Sequence, residues 1–184
     1  PMDSIPMFLE NRSKPDKIKY ASEKLIPILN NTSGCIIYQE QVMQICREVA
    51  GFSFGRADIV RRAMAKKKAK EMEKERKAFI YGELDENGNT VVNGAINNGM
   101  DEKVAGDLFD NIANFASYAF NKAHACAYAF ISYRTAYLKA HYPCEYISAL
   151  LSSVFGNLGK TAAYMTDAQK IKIQVLPPDV NESF

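Results

Sequence analysis

Two adjacent arginines, Arg61 and Arg62, are the side chains of this sequence best suited to bind phosphate. A guanidinium presents paired N–H donors that match two oxygens of one phosphate group. Neighbouring residues on a helix diverge by about 100°, so one arginine can reach a ligand while the other pairs within the protein. Asp58 lies four residues before Arg62, and a local salt bridge is the alternative interpretation of that arginine.

A block of positive charge surrounds this pair. Residues 56–77 contain ten basic and four acidic side chains, a net charge of +6, whereas the whole 184-residue chain carries +2. This uneven charge indicates an anionic partner. Nucleic acid and phosphorylated ligands are the leading candidates. The alternative is a solvated helix face with internal Glu–Lys pairs. The basic residues that we assign to DNA contact are Arg56, Lys66, Lys67, Lys68 and Lys70.

A second polar group, Asn121, Lys122 and His124, precedes a long apolar segment. Asn121 is a favourable N-cap, and the N–H groups at the start of a helix attract anions. Cations in the first turn are unfavourable unless an anion lies nearby. We therefore expect this group and the arginine pair to line one basic surface around a single polyanion. A hydrogen bond to a backbone carbonyl is the alternative for His124.

Arg134 falls on a mostly apolar face of the same predicted helix. Burial of its guanidinium would require an anionic partner. A carboxylate from another helix is the favoured partner, and a ligand phosphate is the alternative. Most tyrosines are predicted to lie in the core, although Tyr118 or Tyr128 could instead stack on a base.

The sequence lacks the groups that most enzymes use for catalysis. It has two histidines, 17 residues apart, and no Asp-x-Asp pair to hold two magnesium ions. It has no Walker A and no GxSxG motif. Its four cysteines follow no CxxC or zinc pattern, which favours a reduced, cytoplasmic protein, with a disulfide pair as the alternative. We expect no catalytic residue and no metal site in this chain.

Helical periodicity predicts a mainly α fold, a multi-helix domain with one small exposed β-hairpin around residues 85–89. Residues 1–15 are predicted to be extended, and residues 171–176 to form a short strand. The helices at 121–141 and 144–155 are apolar almost all round, which predicts that both are buried. The predicted helices span residues 16–29, 39–50, 53 or 55 to 64, 66–81, 101–115, 121–141, 144–155 and 161–170. An end or kink at Pro27 is the alternative for the first of them.

The composition is that of a globular protein, with 47% hydrophobic and 24% charged residues. The sequence has no stretch of about 18 apolar residues, so no membrane-spanning helix is predicted. The start of the sequence has no signal-peptide pattern. Because the chain begins with Pro and not Met, we interpret it as a processed or excised piece.

Six segments, in this order, resemble one known family: GCIIYQEQVM (34–43), AGFSFGRAD (50–58), VRRAMAKKK (60–68), FNKAHACAYA (120–129), LKAHYP (138–143) and VLPPDVN (175–181). They are similar to bacterial DNA polymerase III alpha subunits of the DnaE type, which are C-family polymerases. The resemblance covers nearly the whole chain and implies a helical fingers region, separate from the palm that carries the catalytic aspartates. Its organisation is then a lead-in and first helix at 1–33, a helical fingers domain at 34–176 and a linker at 177–184.

The resemblance implies a replicative DNA-directed DNA polymerase whose fingers bind the incoming dNTP and the primer–template. Arg61 and Arg62 match the family's arginine pair, and Asn121, Lys122 and His124 match its Phe-Asn-Lys-x-His turn. Both groups are then expected to bind the nucleotide. The implied partners are DNA, dNTP and the other holoenzyme subunits in the cytoplasm, with no membrane. Mg²⁺ would be held by the palm, so this fragment alone is expected to be inactive.

Two features depart from the family. Residues 83–93 look like an insertion, and alanine stands at 123 and 125, where the family often has serine. The alternative function is a helical nucleic-acid-binding or protein-interaction module without a nucleotide pocket. An independent enzyme is a more distant interpretation. A ligand preference for triphosphate over a polyanionic backbone would distinguish the polymerase fingers domain from the helical binding module.

Overall fold

The computed structural model describes residues 4–66, 69–116, 119–177 and 179–181. Over these ranges the protein is mainly α, with nine α-helices and one antiparallel hairpin, as the sequence predicts. The chain forms two compact units, Pro1–Ala125 and Cys126–Phe184. The division at residues 33 and 176 expected from the sequence stays a prediction. No helix among the described residues is long and apolar enough to cross a membrane.

Prolines divide the first 30 residues into short helical pieces. Helix α1 spans Ile5–Ser13 and helix α2 spans Ile26–Leu29, with single 3₁₀ turns at Pro15–Lys17 and Glu23–Leu25 between them. The extended start and the continuous helix over residues 16–29 are therefore wrong predictions. Both α1 and α2 carry a proline at the first or second position, where the missing N–H needs no helical partner. Within a continuous helix the same proline would remove a hydrogen bond.

Helices α3 (Gln39–Ala50) and α4 (Phe54–Ala65) begin and end close to the predicted positions. Gly51 ends α3 in the left-handed conformation, with a φ of 78°, which costs glycine little because it has no Cβ. The side chain of Ser53 accepts the Arg56 N–H at 3.2 Å and caps α4. The apolar face of α3 is fully buried at Val42, Ile45, Cys46 and Val49.

Helices α5 (Ala69–Tyr81) and α6 (Glu102–Ala116) complete the core of the first unit. Phe79 is fully buried, with its ring centroid 6.2 Å from that of Phe52 and 5.3 Å from that of Phe109. The predicted hairpin is present between α5 and α6. Its strands β1 (Glu83–Leu84) and β2 (Thr90–Val92) pair in an antiparallel manner.

Asp85 organises the hairpin turn, because its Oδ1 accepts the N–H groups of Asn87 and Asn89 at 2.9 and 2.8 Å. The apolar residues 79–81 lie at the end of α5, in agreement with the helix predicted over residues 66–81. Phe79 and Ile80 are buried there, so the helical conformation places both side chains in the core.

Helix α7 spans Lys122–His141, and it is followed in the second unit by α8 (Pro143–Ser153) and α9 (Leu158–Lys170). The predicted burial of α7 and α8 is wrong. Helix α7 has no buried residue, and Ile147 is the one buried residue described in α8. A helix that is apolar all round needs neighbours on every side, and the described part of the second unit supplies two further helices.

Residues 173–177 have no regular structure, so the predicted strand at 171–176 is also wrong. A strand needs a partner for its backbone groups, and the described residues offer it none. Of the four cysteines, Cys35 and Cys46 are buried and Cys126 and Cys144 are exposed. Burial raises the pKa of the Cys46 thiol to about 12, as expected for a group that packs as a small hydrophobe.

Candidate functional site

Gln39, the first residue of α3, connects Arg61 to the segment that leads into α7. The Nη1 of Arg61 donates to Oε1 of Gln39 at 3.1 Å. The Nε2 of Gln39 donates to the carbonyl oxygen of Ala119 at 3.0 Å. The backbone N–H of Gln39 donates to the carbonyl oxygen of Phe120 at 2.8 Å. Arg61 and the residues before α7 are thus held on the two sides of one side chain.

The carboxylate of Glu40, a residue of α3, lies at the start of α7. Its two carboxylate oxygens accept the backbone N–H of Lys122 at 3.0 and 2.9 Å, and Asn121 Oδ1 accepts the N–H of His124 at 2.7 Å. Asn121 is therefore the N-cap that the sequence predicts. The anion that a cationic first turn requires is supplied by the protein itself, so this turn does not by itself require a bound ligand.

The side chain of Lys122 lies against an aromatic ring. Its Nζ is 5.7 Å from the centroid of Tyr38, a distance at which a cation and a ring attract each other. Tyr38 and Phe120 form a parallel bridge, and the Phe120 N–H donates to the Ile37 carbonyl oxygen at 3.1 Å. Residues 38–40 thus hold residues 119–122 through backbone and side chains together.

Both arginines of the pair contact Asp58. Arg61 donates to Asp58 Oδ1 from Nε at 3.0 Å and from Nη2 at 2.8 Å, and Arg62 pairs with Asp58 Oδ2. The local salt bridge of Arg62 is confirmed, and Arg61 pairs with the same carboxylate. The hydrogen bond from Arg61 lowers the pKa of Asp58, and Arg62 adds to the effect. The side chain of Arg61 is 21% exposed and that of Arg62 is 61% exposed.

Arg56 lies within the protein, between two carboxylates. Its Nε is 2.8 Å from Glu75 Oε2, its Nη2 is 2.5 Å from Glu83 Oε2, and its guanidinium lies 4.9 Å from the Phe52 ring centroid. Burial disfavours the charge, whereas the hydrogen bonds to Glu75 and Glu83 favour it and raise the pKa of Arg56 overall. Any phosphate contact by Arg56 would compete with these carboxylates.

The other residues predicted to contact DNA differ in what the structure describes. Lys66 and Lys70 are exposed. Lys67 and Lys68 lie outside the described residues. Their contact with DNA stays a prediction.

Arg134 is exposed on α7, and no carboxylate among the described residues pairs with it. Its predicted burial with a structural carboxylate is therefore wrong, for the same reason as the burial of α7. Tyr128 is 58% exposed, and Tyr118 lies outside the described residues. No group of three or more His, Cys, Asp or Glu side chains that could hold a metal ion occurs in the described ranges.

The residues that sequence reasoning misses at this site are Tyr38, Gln39 and Glu40. Their local signal is weak, because polar residues in the first turn of an amphipathic helix are ordinary. Their role depends on partners 82 residues away for Glu40 and 80 residues away for Gln39.

Comparisons with known proteins agree with the segments recognised in the sequence. The family described as "Bacterial DNA polymerase III alpha subunit finger domain" matches residues 1–87. The DNA polymerase III subunit alpha of Thermus aquaticus is 46% identical over 188 aligned residues, which cover 100% of this chain and 14% of that protein.

Two staphylococcal relatives give the same result. The DNA polymerase III subunit alpha of Staphylococcus epidermidis (strain ATCC 12228 / FDA PCI 1200) is 45% identical, and that of Staphylococcus aureus (strain Mu50 / ATCC 700699) is 44% identical. In both cases the match covers 100% of this chain and 16% of the relative. The chain therefore belongs to the bacterial DNA polymerase III alpha subunits and corresponds to the part of them that contains their finger domain.

Proposed function

We propose that this chain, as part of a DNA polymerase III alpha subunit, binds the triphosphate of the incoming dNTP and the backbone of the primer–template. The observation that carries the nucleotide proposal is the link through Gln39, which joins Arg61 of α4 to the residues before α7. This link supports the proposal that two basic groups about 60 residues apart in the sequence share one surface. A triphosphate is long enough to contact both.

Arg61 is suited to hold a phosphate because its guanidinium is already oriented. Asp58 accepts from Nε and Nη2, and Gln39 accepts from Nη1. A guanidinium has five N–H donors, so two remain for phosphate oxygens. Less side-chain freedom is then lost when a ligand binds.

Lys122 contributes its side chain and not its backbone. Its N–H is held by Glu40, whereas its exposed ammonium group lies beside Tyr38. Asn121 and His124 are exposed on the same turn and complete the proposed site, with Arg62 as the outer, more exposed arginine. The ligand is thus bound mainly by side chains.

Lys66 and Lys70, with Lys67 and Lys68, are proposed to contact the phosphates of the primer–template. Such contacts are insensitive to base sequence and weaken with salt. Arg56 contributes less, because Glu75 and Glu83 hold its guanidinium. The catalytic Mg²⁺ and the holoenzyme subunits would be bound by other parts of the alpha subunit, in the cytoplasm.

The test compares nucleotide use with DNA binding in the full-length alpha subunit that contains this segment. Arg61→Ala and Lys122→Ala are each expected to raise the dNTP KM about tenfold, because each removes a charged phosphate contact. The primer–template Kd should change less than about twofold. Arg12→Ala, which removes an exposed arginine from α1, is the matched control and should change neither.

An equal loss in dNTP KM and primer–template Kd would overturn the nucleotide proposal and favour a DNA-backbone surface without a nucleotide pocket. The purified 184-residue chain alone is expected to extend no primer in the presence of Mg²⁺. Metal-dependent extension by that fragment would show that it carries catalytic groups of its own.

A further inference from the structure

The Gln39 side chain forms hydrogen bonds both to Arg61 and to the segment that leads into α7. Its Oε1 accepts from Arg61 Nη1 at 3.1 Å, and its Nε2 donates to the Ala119 carbonyl oxygen at 3.0 Å. The amide therefore uses its acceptor toward α4 and its donor toward the segment before α7. An amide has both a donor and an acceptor end, and here the two ends face different elements.

The side chain is not needed simply to hold residues 119–120. The backbone N–H of Gln39 donates to the Phe120 carbonyl oxygen at 2.8 Å, and the Phe120 N–H donates to Ile37 at 3.1 Å. These bonds use backbone atoms only. The Gln39 side chain adds a further bond to Ala119 and the connection to Arg61.

Arg61 needs such a second contact to have a single orientation. Asp58 holds its Nε and Nη2 from one side, three residues away on the same helix. A guanidinium paired at one edge can still pivot about that edge, and the contact of Nη1 with Gln39 removes this freedom. The remaining N–H donors then point in a defined direction.

We infer that Gln39 is a positioning residue that orients Arg61 toward the triphosphate and couples that orientation to the start of α7. The inference rests on the proposed function, because it requires Arg61 to contact the nucleotide. Gln39 itself need not contact the ligand.

The experiment is a double-mutant cycle in the full-length alpha subunit. Gln39→Met keeps the length of the side chain and removes both hydrogen bonds. It is expected to raise the dNTP KM about tenfold, the size of effect expected when a hydrogen bond to a charged group is removed. In the Arg61→Ala background the same substitution should change KM less than about twofold, because the residue that it orients is absent.

Gln44→Met is the matched control, since Gln44 is an exposed glutamine on the same helix. It should leave KM within about twofold of the parent. Gln39→Asn, which keeps the amide but is one methylene shorter, is the milder variant if Gln39→Met lowers the amount of folded protein. It should give an intermediate KM at an unchanged primer–template Kd.

The outcomes separate the inference from the proposed function. If Arg61→Ala raises KM but Gln39→Met and Gln39→Asn do not, the positioning role is overturned and the nucleotide site stands. Multiplicative effects of Gln39→Met and Arg61→Ala would also overturn it, because two independent contributions multiply. If Arg61→Ala itself leaves KM unchanged, the proposed nucleotide site fails, and the role of Gln39 fails with it.

Discussion

The carboxylate of Glu40 accepts the backbone N–H of Lys122 through both of its oxygens, at 3.0 and 2.9 Å. The first turn of α7 is thereby stabilised by an anion from α3, 82 residues earlier in the chain. A phosphate could reach the Lys122 N–H only by displacing Glu40. This contact is why the proposed site uses the side chains of Arg61 and Lys122 and not the helix terminus itself.

Removal of the Glu40 carboxylate should weaken the start of α7. We expect Glu40→Ala to lower the free energy of unfolding by about 1 kcal/mol, the usual value of a cap with a favourable dipole interaction. Glu40→Gln keeps an acceptor without the charge and should cost less. The control is Glu48→Ala, an exposed glutamate of the same helix. Equal destabilisation by Glu40→Ala and Glu48→Ala in urea denaturation would contradict the capping role.

Gly94 should tolerate no side chain, because a Cβ there would lie 2.3 Å from the Gly82 backbone nitrogen and 2.6 Å from the Tyr81 carbonyl carbon. Gly88 at the hairpin turn has a similar φ of 81°, but its Cβ would meet nothing within 4 Å. We expect Gly94→Ala to cost about 3 kcal/mol from strain and overlap, and Gly88→Ala about 1 kcal/mol from the backbone conformation alone. Similar melting temperatures for the two variants would refute the close backbone approach.

Arg56 should be important for stability because it neutralises two partly buried carboxylates. Arg56→Met would leave Glu75 and Glu83, whose side chains are 14% and 31% exposed, without this partner. We expect a decrease in unfolding free energy of about 2 kcal/mol. Lys77→Met breaks an ion pair with Glu73 whose side chains are both 71% exposed, and it should cost less than about 0.5 kcal/mol. The unfolding free energies of both variants, measured by denaturation at neutral pH, test this difference.

The stability of the chain should fall in acid. The hydrogen bond from Arg61 lowers the pKa of Asp58, and the one from Arg56 lowers the pKa of Glu83. A carboxylate whose pKa is lower in the folded state contributes its full stabilisation above the unfolded pKa, about 4, and loses it as pH falls through the folded pKa. Unfolding free energies measured from about pH 6 to pH 3 should decline, and less steeply in Asp58→Asn. An identical slope in that variant would exclude a contribution from Asp58.

Binding of the chain to duplex DNA should be weak and should depend strongly on salt. Removal of one lysine that contacts a phosphate should reduce the slope of log K against log salt by about 0.9. Lys66→Ala and Lys70→Ala are expected to show this change, whereas Lys14→Ala, at an exposed lysine outside the basic block, should not. Binding that is constant from low to high salt, or that depends on base sequence, would disprove backbone contact.

Local signals in the sequence were sufficient for the elements whose interactions are local. The apolar spacing of α3, the glycine that ends it and the Ser53 cap of α4 involve residues within a few positions of one another. The Asp85 turn is of the same kind, with its hydrogen bonds reaching four residues. The side chains suited to phosphate binding also stood out by type, because arginine and lysine are chemically distinctive wherever they lie.

The tertiary structure alone decided which of these cations are available and what surrounds them. Arg56 and Arg62 both belong to the basic block, yet the side chain of Arg56 is 17% exposed between two glutamates and that of Arg62 is 61% exposed. The contacts of Gln39 with Arg61 and Ala119 join residues 22 and 80 positions apart. Helix α7 shows the converse, since its apolar sequence predicts burial and its side chains are exposed. Periodicity reports how a segment is patterned, whereas burial and pairing depend on which other segments the folded chain brings against it.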